Sequence, residues 1–87
     1  MPTPHVKIYI RQWCGYCTLA LRLLAEKRVP VEQIDTTGDQ ALRDWLYKAT
    51  LRTTVPQVFI DDRPVGGYDD LVALDNTGEL DRLLGLA

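Results

Sequence analysis

The chain has 87 residues, of which 46% are hydrophobic and 25% are charged, and its formal net charge is −2. This size and composition predict a single domain, residues 1–87, that can fold without a structural metal or several disulfides. The scattered basic residues give no footprint for nucleic acid, and the absence of a leader pattern or an apolar run of about 18 residues predicts a cytoplasmic protein that does not contact membranes.

The first half of the chain predicts a strand, a helix and a second strand. Apolar and polar residues alternate over Val6–Ile10, which is typical of a strand with one apolar face. Helical spacing of apolar residues follows over residues 18–28 and ends at Val29-Pro30. Val31–Asp35 is predicted to be a strand parallel to the first, because a crossover through a helix places the two strands side by side.

The second half predicts a helix and then a hairpin. Asp39 is a suitable N-cap for a helix that ends near Thr50. Three of its residues are expected to face inward, namely Leu42, Trp45 and Leu46. Strands at residues 55–60 and 64–66 are predicted to pair across the polar turn 61–63.

Two short helical segments end the chain. Residues 68–74 predict a helix with acidic residues in its first turn, and residues 78–84 predict one or two further amphipathic turns. The resulting order β-α-β-α-β-β-α indicates an α/β domain in which helices cover a small mixed sheet.

Both cysteines lie in the segment Trp13-Cys14-Gly15-Tyr16-Cys17, between the first strand and the first helix. A C-x-x-C pair at this position predicts thiol–disulfide exchange. Cys14 is the expected nucleophile, because a thiol attacks as a thiolate and the N-terminus of a helix favours the anion. Cys17, one turn further on, is expected to lie on the inner face and to resolve a mixed disulfide on Cys14.

A zinc site is the structural alternative for this cysteine pair. Structural zinc normally has four ligands from Cys and His, and only His5 remains to join the two cysteines. We therefore expect no metal site within one chain. Trp13 lies next to the thiols and has no apolar residue at helical spacing to pack with. The sequence therefore leaves two interpretations of Trp13, contact with a substrate protein and simple exposure to solvent.

Three segments at their observed separations resemble the dithiol glutaredoxins of bacterial type: Trp13-Cys14-Gly15-Tyr16-Cys17, Thr53-Thr54-Val55-Pro56-Gln57 and Gly66-Gly67-Tyr68-Asp69-Asp70-Leu71. The resemblance covers nearly the whole chain and implies the thioredoxin fold, a four-stranded mixed β-sheet flanked by α-helices. It also implies a glutathione-dependent oxidoreductase that reduces protein–glutathione mixed disulfides and protein disulfides, with glutathione as cosubstrate.

The resemblance further implies a glutathione site. Arg11 would meet the glycine carboxylate, and the backbone of Val55, before a cis bond to Pro56, would pair with the peptide. The γ-glutamyl carboxylate would lie on the N–H groups at Asp69 and Asp70, with an Asp side chain near the amine. The implied glutathione-binding residues are Arg11, Tyr16, Thr54, Val55, Pro56, Gly67, Tyr68, Asp69 and Asp70. The sequence does not decide whether Arg52 is a ligand or a solvated cation. Gly66 and Gly67 are expected to let the backbone pass close to glutathione.

Two departures from the common family pattern bear on cofactor binding and on the end of the second helix. Gly15 replaces a frequent Pro, and some family members with a small residue there hold a two-iron two-sulfur cluster between two monomers. Cys14 is thus a candidate cluster ligand in a dimer, whereas a monomer is expected otherwise. Leu51 stands where relatives often have Gly as the helix C-cap.

The sequence also leaves two other reductants open besides glutathione. A thioredoxin-like redoxin would be reduced by a flavoprotein, and a mycoredoxin would be reduced by mycothiol.

Overall fold

A mixed sheet of four strands lies at the centre of the computed structural model, which describes residues 3–86. The strands are β1 (Val6–Ile10), β2 (Val31–Asp35), β3 (Gln57–Ile60) and β4 (Arg63–Gly66). They lie in the order β2-β1-β3-β4. β1 is parallel to β2 and antiparallel to β3, and β3 is antiparallel to β4. The predicted mixed sheet and the parallel pairing of the first two strands are confirmed.

Four helices flank this sheet: α1 (Gly15–Glu26), α2 (Gln40–Thr50), α3 (Tyr68–Asn76) and α4 (Glu79–Leu83). Asp39 caps α2 as predicted, since its carboxylate accepts the backbone N–H of Leu42 at 3.0 Å. α1 begins three residues before the predicted start at residue 18, because Cys14 provides the N-cap and the small and aromatic residues after it complete the first turn. α3 continues two residues past the predicted end at residue 74.

The two faces of the sheet bury cores of different size. Side chains alternate along β1, so Val6 and Ile8 face one side and Tyr9 the other. The larger core includes residues of the sheet and of α1, α3 and α4: Val6, Ile8, Ala20, Leu24, Val58, Ile60, Leu71, Leu80 and Leu84. The smaller core lies under α2 and contains Tyr9, Leu46 and Phe59. Helical layers lie on both faces of β1 and β3, and because these strands are antiparallel, the loop after β1 and the loop before β3 meet at the same end of the sheet.

Trp45 was expected to face inward and so to join the core, but it does not lie in the core, because 48% of this residue is exposed. Its ring stacks at 6.0 Å on Phe59 and lies 5.6 Å from the ring of Tyr9. Trp45 therefore covers the rim of the smaller core from outside. Leu46, the next residue, is the one that enters this core.

The hairpin that joins β3 to β4 is one residue tighter than predicted. Asp61 and Asp62 have φ of 50° and 65°, and Arg63 already belongs to β4. Positive φ at both central residues is the conformation that fits a two-residue hairpin to the twist of its strands. β3 in turn begins at Gln57, so residues 55 and 56 form a loop in front of this strand, beside the end of β1. No helix within residues 3–86 is both long and apolar enough to cross a membrane.

Candidate active site

Cys14 lies where β1 gives way to α1, at the N-cap of the helix. Its Sγ accepts the backbone N–H of Cys17 at 3.2 Å, and its thiol lies 3.7 Å from the carbonyl oxygen of Val55, to which it donates. The sulfur is partly buried but remains accessible. The sulfur therefore lies at the N-terminal end of α1, within reach of a backbone donor of the helix and of the carbonyl before the Pro56 bond.

Cys17 is in the opposite environment, since only 3% of it is exposed. Burial, with a smaller contribution from its hydrogen bond to Cys14, raises the pKa of the Cys17 thiol to about 12. The backbone of Arg11 donates to this sulfur and only partly opposes the shift. Cys17 therefore keeps its proton at neutral pH. The helix places an accessible sulfur at its tip and a protonated sulfur directly behind it.

A groove of about 290 Å³ lies beside Cys14. It is lined by Tyr16, Arg52, Thr54, Val55, Pro56, Gly67, Tyr68, Asp69 and Asp70. Eight of the nine residues implied for glutathione binding therefore share one groove, although they come from three separate segments of the chain. The walls combine aromatic rings, backbone groups and one carboxylate–guanidinium pair.

The loop before β3 forms one wall of this groove. The Val55–Pro56 peptide bond is cis, as expected from the resemblance, and the carbonyl of Val55 faces the Cys14 sulfur. Gln57, only 1% exposed, donates its side-chain amide to the carbonyl of Thr54 at 3.0 Å. This supporting role of Gln57 was not predicted. A polar residue at the start of an otherwise apolar strand was the available signal.

The N-terminus of α3 forms the opposite wall. Oδ2 of Asp70 accepts the backbone N–H of Gly67 at 2.9 Å and Nη1 of Arg52 at 2.5 Å. Arg52, and then the N–H of Gly67, lower the pKa of the Asp70 carboxyl. Asp70 is therefore ionised at neutral pH and fixed in the first turn of the helix.

The two glycines act differently from the expectation that they make room for glutathione. A Cβ on Gly66, whose φ is +114°, would overlap the carboxylate of Asp70, and one on Gly67 would lie 3.1 Å from the carbonyl oxygen of Pro56. Gly66 thus makes space for the Asp70 carboxylate. Gly67 allows the two walls of the groove to approach each other.

Arg11 lies outside the groove, in a neighbouring cavity of about 30 Å³ that also contacts Arg43, Arg52 and Val55. Arg52 therefore stands at the boundary between the two hollows. Arg43 was not predicted, because nothing in the sequence distinguishes it from a solvated helical residue. Leu51 ends α2 in the left-handed conformation, with φ of 59°, and so performs the capping role that relatives often give to Gly.

Aromatic side chains flank the thiols on the solvent side. The rings of Tyr16 and Tyr68 lie 6.2 Å apart, and Tyr16 remains 61% exposed. Trp13, with φ of 60°, is 99% exposed and directly precedes Cys14. Within the described residues no three His, Cys, Asp or Glu side chains are grouped to hold a metal ion. His5 instead pairs with Glu32 at 3.0 Å, at the other end of β1.

Comparisons with known proteins agree on one family. The glutaredoxin family profile matches residues 6–65. Glutaredoxin 3 of Escherichia coli strain K12 is 46% identical over 80 residues, which cover 92% of this chain and 96% of that protein. The solution structure of a glutaredoxin from Brucella melitensis superposes with a TM-score of 0.86 at 42% identity, covering 97% of this chain and 91% of the other.

A buckwheat glutaredoxin–glutathione complex superposes with a TM-score of 0.87 at 26% identity, covering 94% of this chain and 77% of the other. These superpositions confirm the thioredoxin fold that the resemblance implied.

Proposed function

The chain belongs to the glutaredoxin family and is a thiol–disulfide oxidoreductase, and we propose that glutathione is both its reductant and the group that it removes from protein mixed disulfides. The observation that carries the proposal is the groove beside Cys14, which joins the Val55 backbone to the carboxylate of Asp70. A ligand there needs a sulfur near Cys14, a peptide group beside Val55 and a charged head group at α3. Glutathione has these three parts in this order.

In the proposed complex the peptide of glutathione pairs with the backbone of Val55, beside the wall formed by Thr54 and Pro56. Its γ-glutamyl carboxylate lies on the N–H groups that open α3 at Tyr68, Asp69 and Asp70. Asp70 receives the amine, because its lowered pKa keeps it anionic. Tyr16 packs beside the sulfurs, and Arg11 reaches the glycine carboxylate from the neighbouring cavity.

The proposed reaction on a glutathionylated protein has two exchanges. The Cys14 thiolate attacks the glutathione sulfur, a new S–S bond forms, and the substrate protein leaves as a thiolate that takes up a proton. A second glutathione, as thiolate, attacks the glutathione sulfur of the Cys14 adduct. The products are the free substrate thiol, the Cys14 thiolate and glutathione disulfide; one half of that disulfide comes from the substrate, so one free glutathione thiol is oxidised per turnover.

With a protein disulfide, Cys17 resolves the mixed disulfide between Cys14 and the substrate. Its proton passes to the departing substrate thiolate, which leaves Cys14 and Cys17 joined as a disulfide. Two glutathione molecules then reduce this bond. Because Cys17 is buried and protonated, it reacts with the sulfur held next to it and is shielded from thiols in solution.

The proposal is tested by following NADPH consumption in the presence of glutathione, glutathione reductase and a glutathionylated peptide. We expect wild-type turnover, loss of turnover to background in Cys14→Ser, and retained deglutathionylation in Cys17→Ser. Equal loss in a folded Cys17→Ser protein would contradict the assigned roles. No wild-type turnover, with both thiols free, would contradict glutathione dependence and favour a thioredoxin reductase or mycothiol as reductant.

The proposed partners are glutathione and glutathionylated or disulfide-containing proteins, in the cytoplasm, with the protein acting as a monomer. A second candidate is a two-iron two-sulfur cluster shared by two monomers, because the sulfur of Cys14 is accessible to a cluster between two chains whereas that of the buried Cys17 is not. Anaerobic purification with glutathione tests it. A brown dimer supports this candidate, and a colourless monomer contradicts it.

A further inference from the structure

Arg52 joins the two hollows next to Cys14. Its guanidinium lies on Asp70 at the end of the groove, and its side chain also borders the cavity that contains Arg11 and Arg43. The base of the side chain is fixed, because α2 ends at Leu51 and the N–H of Arg52 donates to Oγ1 of Thr50 at 3.1 Å. About half of the guanidinium-bearing side chain is exposed, so its outer part can turn while its backbone stays in place.

This arrangement creates a conflict for an incoming ammonium group. One oxygen of the Asp70 carboxylate, Oδ2, already accepts the backbone N–H of Gly67 and also forms the ion pair with Arg52. An ammonium that approaches this carboxylate meets the guanidinium beside it, and like charges at such distances repel. An isolated carboxylate that approaches Arg52 is instead repelled by Asp70. A head group that carries an ammonium and a carboxylate on the same carbon has neither difficulty.

We propose that Arg52 is the residue that makes this site specific for a zwitterionic α-amino acid head group. The inference rests on the proposed function and identifies how the γ-glutamyl end of glutathione is selected. On binding, the ligand ammonium replaces Arg52 on Asp70, and the released guanidinium pairs with the ligand carboxylate, which also accepts the N–H groups at the start of α3. Two pairs of opposite charges then replace one, so the net charge of the site does not change. A ligand with only one of the two charges leaves either Asp70 or Arg52 opposed by a like charge.

The test uses three unreactive probes that differ only at the head group. S-methylglutathione carries both charges, its N-acetyl derivative lacks the ammonium, and 4-aminobutyryl-S-methylcysteinylglycine lacks the α-carboxylate. Dissociation constants are measured by calorimetry for wild type and for Arg52→Gln at low ionic strength. We expect the substitution to tighten binding of the ammonium-only probe and to weaken binding of the carboxylate-only probe, each by about threefold to fivefold, the range for half-exposed ion pairs.

The opposite sign of the two changes separates this mechanism from simpler ones. If Arg52 only held a carboxylate, the ammonium-only probe would bind Arg52→Gln and wild type equally. If Arg52 were a bystander, neither affinity would change. Either result overturns the inference while leaving the proposed function intact. Failure of wild type to bind S-methylglutathione overturns both, so the two failures are distinguishable.

Two further variants serve as controls. Arg43→Gln removes the same charge from the neighbouring cavity without touching Asp70, and we expect it to shift both single-charge probes in the same direction or not at all. Opposite shifts in Arg43→Gln would show a general field effect and overturn the specific role of Arg52. Arg52→Lys retains the cation and is expected to keep the wild-type order of the probes. Thermal unfolding of each variant verifies that the fold is intact.

Discussion

The two ends of the sheet use charge in opposite ways. At the end opposite Cys14, Lys27 follows α1 and places its Nζ 2.5 Å from Asp75 and 2.8 Å from Asp81, so one cation joins α1 to α3 and α4. At the Cys14 end, Arg11 and Arg43 share a cavity, and within residues 3–86 neither forms an ion pair. The charges around Lys27 are neutralised and hold three helices together, whereas at the Cys14 end Arg52 is paired with Asp70 but Arg11 and Arg43 are left open where a ligand with carboxylates is expected.

This difference predicts that the two ends can be altered independently. Substitutions around Lys27 should change the free energy of unfolding and leave catalysis as it was. Substitutions around the groove should change binding or reactivity with smaller effects on stability. Variants at the buried thiol, at a glycine of the groove and at Lys27 test this separation.

The largest expected effect concerns the reactivity of the buried Cys17 thiol, which lies behind Cys14. In Cys14→Ala the remaining Cys17 thiol should react with iodoacetamide more slowly, by on the order of 10²-fold or more, at pH 8 when folded than in guanidinium chloride. Burial is the main cause of the wild-type pKa of about 12 and persists in this variant, whereas the smaller contribution of Cys14 to that pKa is lost. Because the pKa is raised, the folded rate should increase about tenfold per pH unit toward that value. Equal rates in the folded and unfolded chain would show that burial does not protect Cys17.

Gly66→Ala should be an exception to this independence, because it should lower the free energy of unfolding and also weaken ligand binding in the groove. The new Cβ would overlap the Asp70 carboxylate at a φ of +114°, so Asp70 must leave its place against Gly67 and Arg52. We expect loss of stability by about 1–3 kcal/mol and at least tenfold weaker binding of S-methylglutathione.

Gly38→Ala is the matched control for the glycine substitution. Its φ is +72°, but nothing lies within 4 Å of the added Cβ, so only the backbone penalty of about 1–2 kcal/mol applies. Chemical denaturation and calorimetry measure the two effects. Equal binding by Gly66→Ala and Gly38→Ala would show that the position of Asp70 is unimportant for the ligand.

Lys27→Met should have the smallest effect, confined to stability. The methionine keeps much of the apolar stem but leaves Asp75 and Asp81 without their shared cation, so the melting temperature should fall by a few degrees. Lys48→Met, on the exposed side of α2, removes the same charge and should leave the melting temperature nearly unchanged. Deglutathionylation by both variants should equal that of wild type. A loss of activity in Lys27→Met alone would mean that the two ends are coupled.

Local sequence signals predicted most of the fold. Alternation indicated β1, the crossover through a helix indicated β2, and Asp39 marked the start of α2 at the correct residue. Periodicity failed where a side chain, not an apolar repeat, defines a boundary, as at Cys14 in front of α1. It also failed for Trp45, because a helical pattern identifies the face that points toward the sheet but not how far the sheet extends beneath it.

Only those residues of the groove that lie within the three motif segments were predictable from the sequence. The resemblance identified residues on both walls of the groove, and the cis bond before Pro56 was confirmed. The pair between Arg52 and Asp70 and the role of Gly66 were not predictable, because each depends on atoms that only the folded chain brings together. Arg43 carries no local signal that separates an electrostatic role from that of an ordinary polar residue.

The exposure of Trp13 gives the protein a built-in optical signal. The chain has two tryptophans, and Trp45 is packed on Tyr9 and Phe59, whereas the indole of Trp13 is surrounded by solvent. An indole in water emits at longer wavelength than one shielded by other rings, so the two contributions are separable. Because Trp13 is bonded to Cys14, a protein that forms a mixed disulfide there comes within one residue of this fluorophore. Emission spectra can thus follow substrate docking in real time without any attached label.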